Sequence, residues 1–473
     1  MTAKAIRLRS VLPLVAVAAL GGCATRTIST DRHDLSEFAT REFGSDTTLH
    51  QSAAARAAAT ASVRERLTQP LAVSDAVWIA LNHSPRFQQL LADSAAASAA
   101  TAQSARLPNP VLRYAKIAAG HVTEIDRVLS FSLLDLMLLP QRRRMASLQR
   151  AQQRLRSAGE VVAMATAVRR AWIEAVAAQQ SLVYARQVRD AAEVGAELAR
   201  RMEEAGNFAR IEQAREQLFH ADAMSELTRT TLAAERAREQ LVRTIGLSRE
   251  LAVLLRLPER LPDLPDEPLA ETIVEQHAFE GRLDIALARA ELEYTARALG
   301  LTRVTGTVNA LEIGPADNRV SGEDRLKGYD LEVRLPIFDF GDAHRVNARA
   351  RYLASLNHSA AAVVEAQSQL RESFATYKQA FGLAQHFRDV VIPLRRSIAA
   401  QNQLLYNGML ISVFELLADK RAQITAVRET IAAQRDFWIA DTALRATVIG
   451  RPTEGPALGS TMATSIDGRP PLH

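Results

Sequence analysis

From Met145 the apolar positions run Leu148, Ala151, Leu155, Ala158, Val162, Ala165, Val168, Trp172, Ala175, Ala178, Leu182, Ala185 and Val188. Their alternating steps of three and four are the coiled-coil period, in which one stripe of a helix faces a partner helix. Alanine at many of these seam positions lets neighbouring backbones approach closely. The pattern persists to Met202 and breaks at Gly206-Asn207. It predicts one helix from about Gln141 to Ala205, roughly 65 residues and on the order of 100 Å at 1.5 Å per residue. The return path is broken into a helix from about Arg210 to Ile245, a linker with Pro258, Pro262, Pro265 and Pro268, and a helix from about Leu269 to Leu301. A compact globular domain has no use for such lengths.

Between the helices the period drops to two. Val111–Ile117 and Val128–Leu134 read as strands flanking Gly120-His121-Val122-Thr123. Val304–Ile313 and Tyr329–Leu335 read as a second pair, around a loop rich in Gly, Pro, Asp and Asn from Gly314 to Arg325. In Leu331-Glu332-Val333-Arg334-Leu335 one face is apolar and the other charged. A strand between lipid and a wet lumen requires that alternation; a surface hairpin on a soluble helical domain satisfies it too.

The same order of elements occurs twice, offset by about 200 residues. Ser74–Leu81, ending near Ser84-Pro85-Arg86, matches Glu271–Ala278, ending near Arg282-Leu283-Asp284. Leu129–Asp135 matches Leu331–Asp339, Gly206-Asn207 matches Met409-Leu410, Glu212 matches Glu415, and Leu241 matches Leu444. Each half reads helix, two strands, very long helix, turn, helix. The fold class is therefore mainly α with a small β part, built from two tandem repeats. Pro393, inside Val390–Leu394, predicts a kink in the second long helix.

Composition narrows the function classes. The 473 residues are 48% hydrophobic, enough for a sizeable core, and the 21 glycines and 17 prolines are few for that length. The formal charge of +5 suggests nucleic acid only at first sight. Lys4, Arg7 and Arg9 lie in a leader; without them the 58 basic residues fall to 55 against 53 acidic ones, and no aromatic-interleaved basic patch stands out. No nucleic-acid partner is expected. After Cys23 no apolar run reaches about 18 residues, so a mature chain that spans a bilayer must do so with β-strands in a closed barrel. No Gly-rich phosphate loop, metal-spaced His pair or nucleophile motif appears. Glu275-Gln276-His277 has no second ligand at usable spacing, so neither an enzyme nor a metal or other cofactor is expected.

The leader has a charged start, a short apolar run Val11–Leu20 and small residues before a cleavage point, as a secretory signal does. Leu20-Gly21-Gly22-Cys23 resembles the lipobox of bacterial lipoproteins, which implies cleavage before Cys23 and acylation of its thiol. Cys23 is the sole cysteine. These readings divide the chain into a lipoprotein signal peptide (1–22), a lipid-anchored polar tether (23–70), a first repeat (71–250), a Pro-rich linker (251–268), a second repeat (269–450) and a disordered tail (451–473).

With these residues placed, the chain resembles the TolC-type outer-membrane efflux proteins, in their lipoprotein branch, over about Leu71 to Gly450. The marks are Leu107-Pro108-Asn109-Pro110 entering the first strand, Leu335–Gly341 leaving the fourth, and Tyr406-Asn407-Gly408 followed by Phe414-Glu415-Leu416-Leu417 at the second helical turn. The resemblance implies a homotrimer with four strands per chain in one twelve-stranded outer-membrane β-barrel. An α-helical coiled-coil tunnel would continue it into the periplasm, with the linker at an equatorial region. It also implies a periplasmic membrane-fusion adaptor and an inner-membrane pump as partners, outer-membrane lipids around the barrel, and a passive efflux duct. The rival reading is a periplasmic lipoprotein scaffold of helical hairpins with no pore.

By the same resemblance the turns at Gly206, Asn207, Tyr406, Asn407, Gly408 and Met409 are periplasmic tips that dock the adaptor. The family's glycine position at the second turn is filled by Met409, with Gly408 one place earlier, so a shifted turn geometry is expected. Glu212 and Glu415, each six residues past its tip position, are aperture candidates. Repeated around a threefold axis they would form carboxylate rings favouring cations; each reads equally as an exposed helical glutamate. Arg142-Arg143-Arg144 reads as a headgroup contact or a solvated helix start.

Overall fold

The computed structural model describes residues 29–271, 281–305, 311–334, 337–338 and 340–456. Cys23, the signal segment, Glu275–His277 and the last seventeen residues of the tail lie outside them. In order, the elements are α1 (residues 29–43), α2 (Ala53–Arg66), α3 (Val73–His83), α4 (Pro85–Ser104), β1 (Val111–Ala119), β2 (Val122–Ser132), α5 (Leu133–Glu204), α6 (Arg210–Ile245) and the short α7 (Arg249–Ala252). The second half has α8 (Leu283–Thr305), β3 (Leu311–Val320), β4 (Leu326–Val333), α9 (Asp342–His386), a π-helical turn (Phe387–Val391), α10 (Ile392–Asn407) and α11 (Val413–Ile449). Two compact units result. One holds Leu91–Ala158 and Leu283–Glu365 with the chain up to Leu35; the other holds Ser36–Leu90, Gly159–Arg282 and the chain from Ala366 onward.

The first unit carries the sheet, a four-stranded antiparallel meander β1-β2-β3-β4. Directly paired residues share a face, so the register sorts the side chains. One face collects Leu112, Tyr114, Leu129, Phe131, Ile313, Pro315, Tyr329, Leu331 and Val333; the other collects Arg113, Glu124, Asp126, Ser130, Ser132, Glu312, Asn318, Asp330 and Glu332. The polar face is concave. Arg113 and Asp330, on the two outermost strands, come within 4.0 Å across it, a reach that three strand spacings of about 4.8 Å would forbid on a flat sheet. Asn318 also donates to Glu124 Oε1 there at 2.7 Å. The apolar convex face is bare, with Tyr329 78% exposed. Val111, Ile117, Val122, Val128, Val320 and Leu326 depart from the pattern, being apolar on the concave side. Beside the sheet, small polar contacts hold the helices: Thr295 to Ser355 at 2.6 Å, Ser94 to Ser157 at 3.0 Å, and Gln152 donating to the Ala290 carbonyl at 3.0 Å.

The strand boundaries correct the sequence reading. β2 spans Val122–Ser132 rather than Val128–Leu134, because Gly120-His121 alone make the turn and α5 begins at Leu133. Ser132 Oγ accepts the Asp135 N–H at 3.2 Å and starts the helix there. Pro140, one residue before the helix start expected at Gln141, lies within the helix, and Arg142 of the arginine run pairs with Asp135 at 2.5 Å. The third strand was expected over Val304–Ile313; Val304 and Thr305 end α8, and β3 runs through the expected loop to Val320. Gly314 and Pro315 are strand residues. Proline has no N–H for a ladder bond, and pairing to β2 lapses between Val128↔Ala316 and Phe131↔Ile313. Gly314 serves close approach there: a Cβ on it would stand 2.1 Å from the Leu129 carbonyl oxygen.

The second unit is helical and densely packed. α9 and α11 share a core of Leu370, Tyr377, Phe381, Phe437 and Leu444, with Leu264 of the linker. Phe437 stacks at 5.6 Å on both Tyr377 and Phe381; each such fully buried ring contributes about 2–3 kcal/mol. The linker is strapped down: Gln434 and Trp438 donate to the Pro262 carbonyl at 2.6 and 3.0 Å, and Arg238 to the Ala252 and Leu255 carbonyls at 2.9 Å. Trp172, a seam position of α5, donates to the Leu71 carbonyl at 2.8 Å. The π-helical turn ends just before Pro393, where the widened loop absorbs the missing N–H.

Within the segment expected as a polar tether stand the helices α1 and α2. Ser52 caps α2 by accepting from the Ala55 N–H at 3.1 Å, and Leu35, Ala39, Ala59, Val63 and Leu67 are buried. These apolar residues at helical spacing are diluted by surface alanines, which is why the stretch read as polar. His50 Nε2 lies 2.7 Å from the Asn82 carbonyl oxygen, holding the loop to α3. Burial there, reinforced by the neighbouring His50, lowers the pKa of His83.

Gly314→Ala should prevent the sheet from forming, because both atoms in its way, the Leu129 carbonyl and Ser130 Cα, are backbone. The expected cost is at least about 2 kcal/mol, read as loss of the compact, faster-migrating species on unheated gels in detergent. A wild-type yield of that species would overturn the β2–β3 register.

Candidate functional site

The candidate tips belong to the helical unit. At the first, Gly206 adopts φ +76 and the α5 helix closes with Gly206 N–H to the Glu203 carbonyl at 2.9 Å and Asn207 N–H to the Met202 carbonyl at 2.9 Å. At the second, Met409 N–H bonds the Tyr406 carbonyl at 2.9 Å and Leu410 N–H the Leu405 carbonyl at 2.8 Å. The two patterns coincide residue for residue. The shifted geometry expected at the second turn is therefore not found. Met409 itself takes the left-handed conformation, φ +59, the sole non-glycine with positive φ among the described residues. Gly408, with φ −81, does not use its freedom. The repeat alignment of Gly206 with Met409 thus holds in backbone geometry, and the side chain carries the strain.

Both tips are exposed and the second is apolar, with Met409 93% and Leu410 74% exposed. Asn407 Oδ1 accepts from Gln403 at 3.1 Å, and Tyr406 is exposed on the last turn of α10. Charges concentrate at the first tip. Glu197 accepts from Arg200 and Arg201 at 2.7–2.9 Å, and these bonds hold its carboxyl down to about 2. Arg210 faces Glu203 across the turn at 3.7 Å.

The aperture candidates differ from one another. Glu212 pairs with Arg215 at 2.8 Å and its side chain is only 17% exposed. Glu415 is exposed and stands three residues after an N-cap serine: Ser412 Oγ accepts its N–H at 3.3 Å. That Ser-x-x-Glu signature explains how α11 starts so soon after the tip. Its counterpart α6 begins at Ala209 without a side-chain cap.

Two ion pairs overlooked in the sequence bind α6 to α11. About three turns past the tips, Arg421 contacts Glu216 at 2.7 Å and stacks on Phe219 at 4.6 Å. About two and a half turns farther, Arg428 contacts Glu226 at 2.5 Å. The helices hence run parallel and in register, and Glu212 and Glu415 stand at matching levels. Glu216 is nearly fully buried, so removing its partner would strand a charge. A signal existed: Glu216 and Ala223, seven apart, fall on one seam together with Ala234 and Leu241, also seven apart. Above Arg428, α5, α6 and α11 bound a cleft of about 450 Å³, and a second of about 530 Å³ adjoins it, with Ser181, Thr230, Arg428 and Ala432 lining both. Among the described residues no cluster of His, Cys, Asp and Glu could hold a metal ion, and no helix is long and apolar enough to cross a membrane.

Met409→Gly should stabilise the protein by about 1 kcal/mol, since it relieves the left-handed penalty and removes a side chain that touches almost nothing. Gly206→Ala should cost a similar amount. Thermal unfolding in detergent reads both, and a lower midpoint for Met409→Gly would contradict the strain assigned to that turn.

No family model and no curated protein matches the chain by sequence. Its fold has solved counterparts. The outer-membrane protein VceC from Vibrio cholerae superposes with a TM-score of 0.65 at 14% identity, over 80% of this chain and 96% of that one. A membrane protein from Pseudomonas aeruginosa gives 0.67 at 18% identity, over 80% and 93%. The CmeC outer-membrane channel from Campylobacter jejuni gives 0.64 at 14%, over 80% and 86%. At these identities the likeness is one of fold, and the fold of this chain is that of the TolC-type outer-membrane channels.

Proposed function

We propose that the chain is a passive channel of the outer membrane, closed as a homotrimer, through which an inner-membrane pump and a periplasmic adaptor export their cargo. The observation that carries this reading is the two-faced sheet. Its convex side carries a bare apolar band on the rows nearest the helices, its concave side holds five carboxylates against one arginine, and β1 and β4 are open edges. In lipid each unsatisfied backbone group costs several kcal/mol, so other copies of the chain must cover those edges. The channel fold supports the same reading. A pore-less periplasmic scaffold gives the apolar band no role. The matched exposed tips are the adaptor-docking surface, and nothing in the duct requires a catalytic group or cofactor.

Glu415, and secondarily Glu212, ring the periplasmic aperture in this reading. Their matching levels on parallel helices support it, and the exposed Glu415, free of the arginine that holds Glu212, is the stronger candidate. Purified protein in planar bilayers should open cation-preferring channels, with the detergent-corrected mass of three chains. Glu415→Gln at neutral pH should lower the cation preference and raise the closed-state conductance. A mass of one 51.7 kDa chain with no conductance would end the channel reading. Channels identical in wild type and variant would remove only the aperture role.

Cys23 is the lipid anchor in the same scheme. Cys23→Ser should lose metabolic labelling by palmitate; the barrel can still insert. Undiminished labelling of the variant would rule out acylation at this thiol.

A further inference from the structure

The convex face of the sheet is not apolar throughout. Toward the hairpin ends, the register places Lys116, Ile125 and Arg319 side by side in one row, and Arg127, Asp317 and Lys327 in the next. All six share the face of Leu112, Tyr114, Leu129, Phe131, Tyr329 and Leu331. The four cations are exposed. Strand spacing sets the cations of each row on the order of 10 Å apart, and the rows about 7 Å from each other. Asp317, the lone acid of the group, is already ion-paired with Arg325 of the β3–β4 turn. Arg127 lies over the Tyr114 ring at 6.0 Å, at the edge of the apolar band. Glu323 and Asp324 lie in the turn, beyond the last paired residues Asn318↔Leu326.

A cation on the lipid side of a barrel costs about 2–4 kcal/mol at mid-membrane and close to nothing at the interface. Four of them, with none on the helix-proximal rows of that face and with Arg127, at the middle of β2, the deepest, mark where hydrocarbon gives way to headgroups. Solvation alone gives no reason for an excess of one sign. We propose that Lys116, Arg127, Arg319 and Lys327 form a clamp for phosphate-bearing lipid headgroups at the outward rim of the barrel, the apolar band below taking the acyl chains. The clamp rests on the barrel reading above. Each cation near such a surface contributes about 1 kcal/mol.

The test uses the full-length protein in a neutral detergent, with lipid A, a bis-phosphorylated acyl disaccharide, as probe. Wild type should bind it at least about tenfold tighter than the variant Lys116→Gln, Arg127→Gln, Arg319→Gln, Lys327→Gln. Arg113→Gln, an exposed cation lost from the concave face, should bind as wild type does. Binding should weaken several-fold as salt rises from about 0.1 to about 0.5 M, because screening acts on exposed charge; this arm stands even if the fourfold variant does not fold. Salt-independent binding, equal affinity of wild type and fourfold variant, or an equal loss in Arg113→Gln would overturn the clamp. So would full competition by inorganic phosphate at the lipid's concentration, which would make the site one for free phosphate. Channel formation by wild type in phosphatidylcholine planar bilayers separates the two levels, because the acyl anchor proposed at Cys23 would float the chain without any barrel. Channels without preferential lipid A binding defeat the clamp alone, whereas failure to form channels defeats the barrel and the clamp together.

Discussion

A backbone N–H or C=O without a partner has no water to turn to inside a bilayer, and the sheet of this chain leaves two rows of such groups at β1 and β4. In the proposed channel further copies close those edges, and the other features of the sheet serve that closure. The curl that brings Arg113 near Asp330 turns the polar face inward. The strict parity of the register then keeps five of the six strand carboxylates on one side, Asp317 being the exception, and the tyrosines and most leucines on the other. A one-residue slip would exchange the two faces. The close contact of Gly314 with Leu129, and the lapse in the ladder at Pro315, resist that slip on the central strand pair.

The helical unit meets a different constraint. Long helices with alanine-rich seams gain little from any single contact, so direction and register must be fixed elsewhere. Here the fixing falls to a few specific points. Tyr377, Phe381 and Phe437 make one aromatic knot. The proline-rich linker is pinned by its carbonyls. Two arginine–glutamate pairs tie α6 to α11. Isolated exposed ion pairs are worth little, yet Glu216 is buried, and a buried carboxylate accepts few alternatives to Arg421. The pairs therefore specify alignment more than they add stability.

Met409 shows how a repeated hydrogen-bond pattern constrains a turn. The two helix-reversing turns need the same left-handed residue at the same place, and the hydrogen bonds around residues 206 and 409 match partner for partner. The glycine of the second hairpin sits one residue too early to supply it. Backbone hydrogen bonding outweighed local preference, and a methionine side chain left in solvent accepted a conformation that costs about 1 kcal/mol.

The sequence by itself determined the long helices, the repeated order of elements, the helix-reversing turns and the four-strand count. Each is a local or periodic property: seven-residue seams, alternation in Leu331–Val333, and breaks at Gly206 and Asn407. It misplaced β2 and β3, because glycine and proline mark turns locally and only the neighbouring strand shows that Gly314 is needed for close approach. It passed over the helices of residues 29–66, whose few apolar positions acquire meaning only against α3 and its surroundings. It also left Arg421–Glu216 and Arg428–Glu226 invisible, since residues some two hundred positions apart pair only once two helices lie side by side. Which face of the sheet is concave, and hence which charges face inward, was decided by tertiary structure, because alternation fixes two faces without saying which one curls inward.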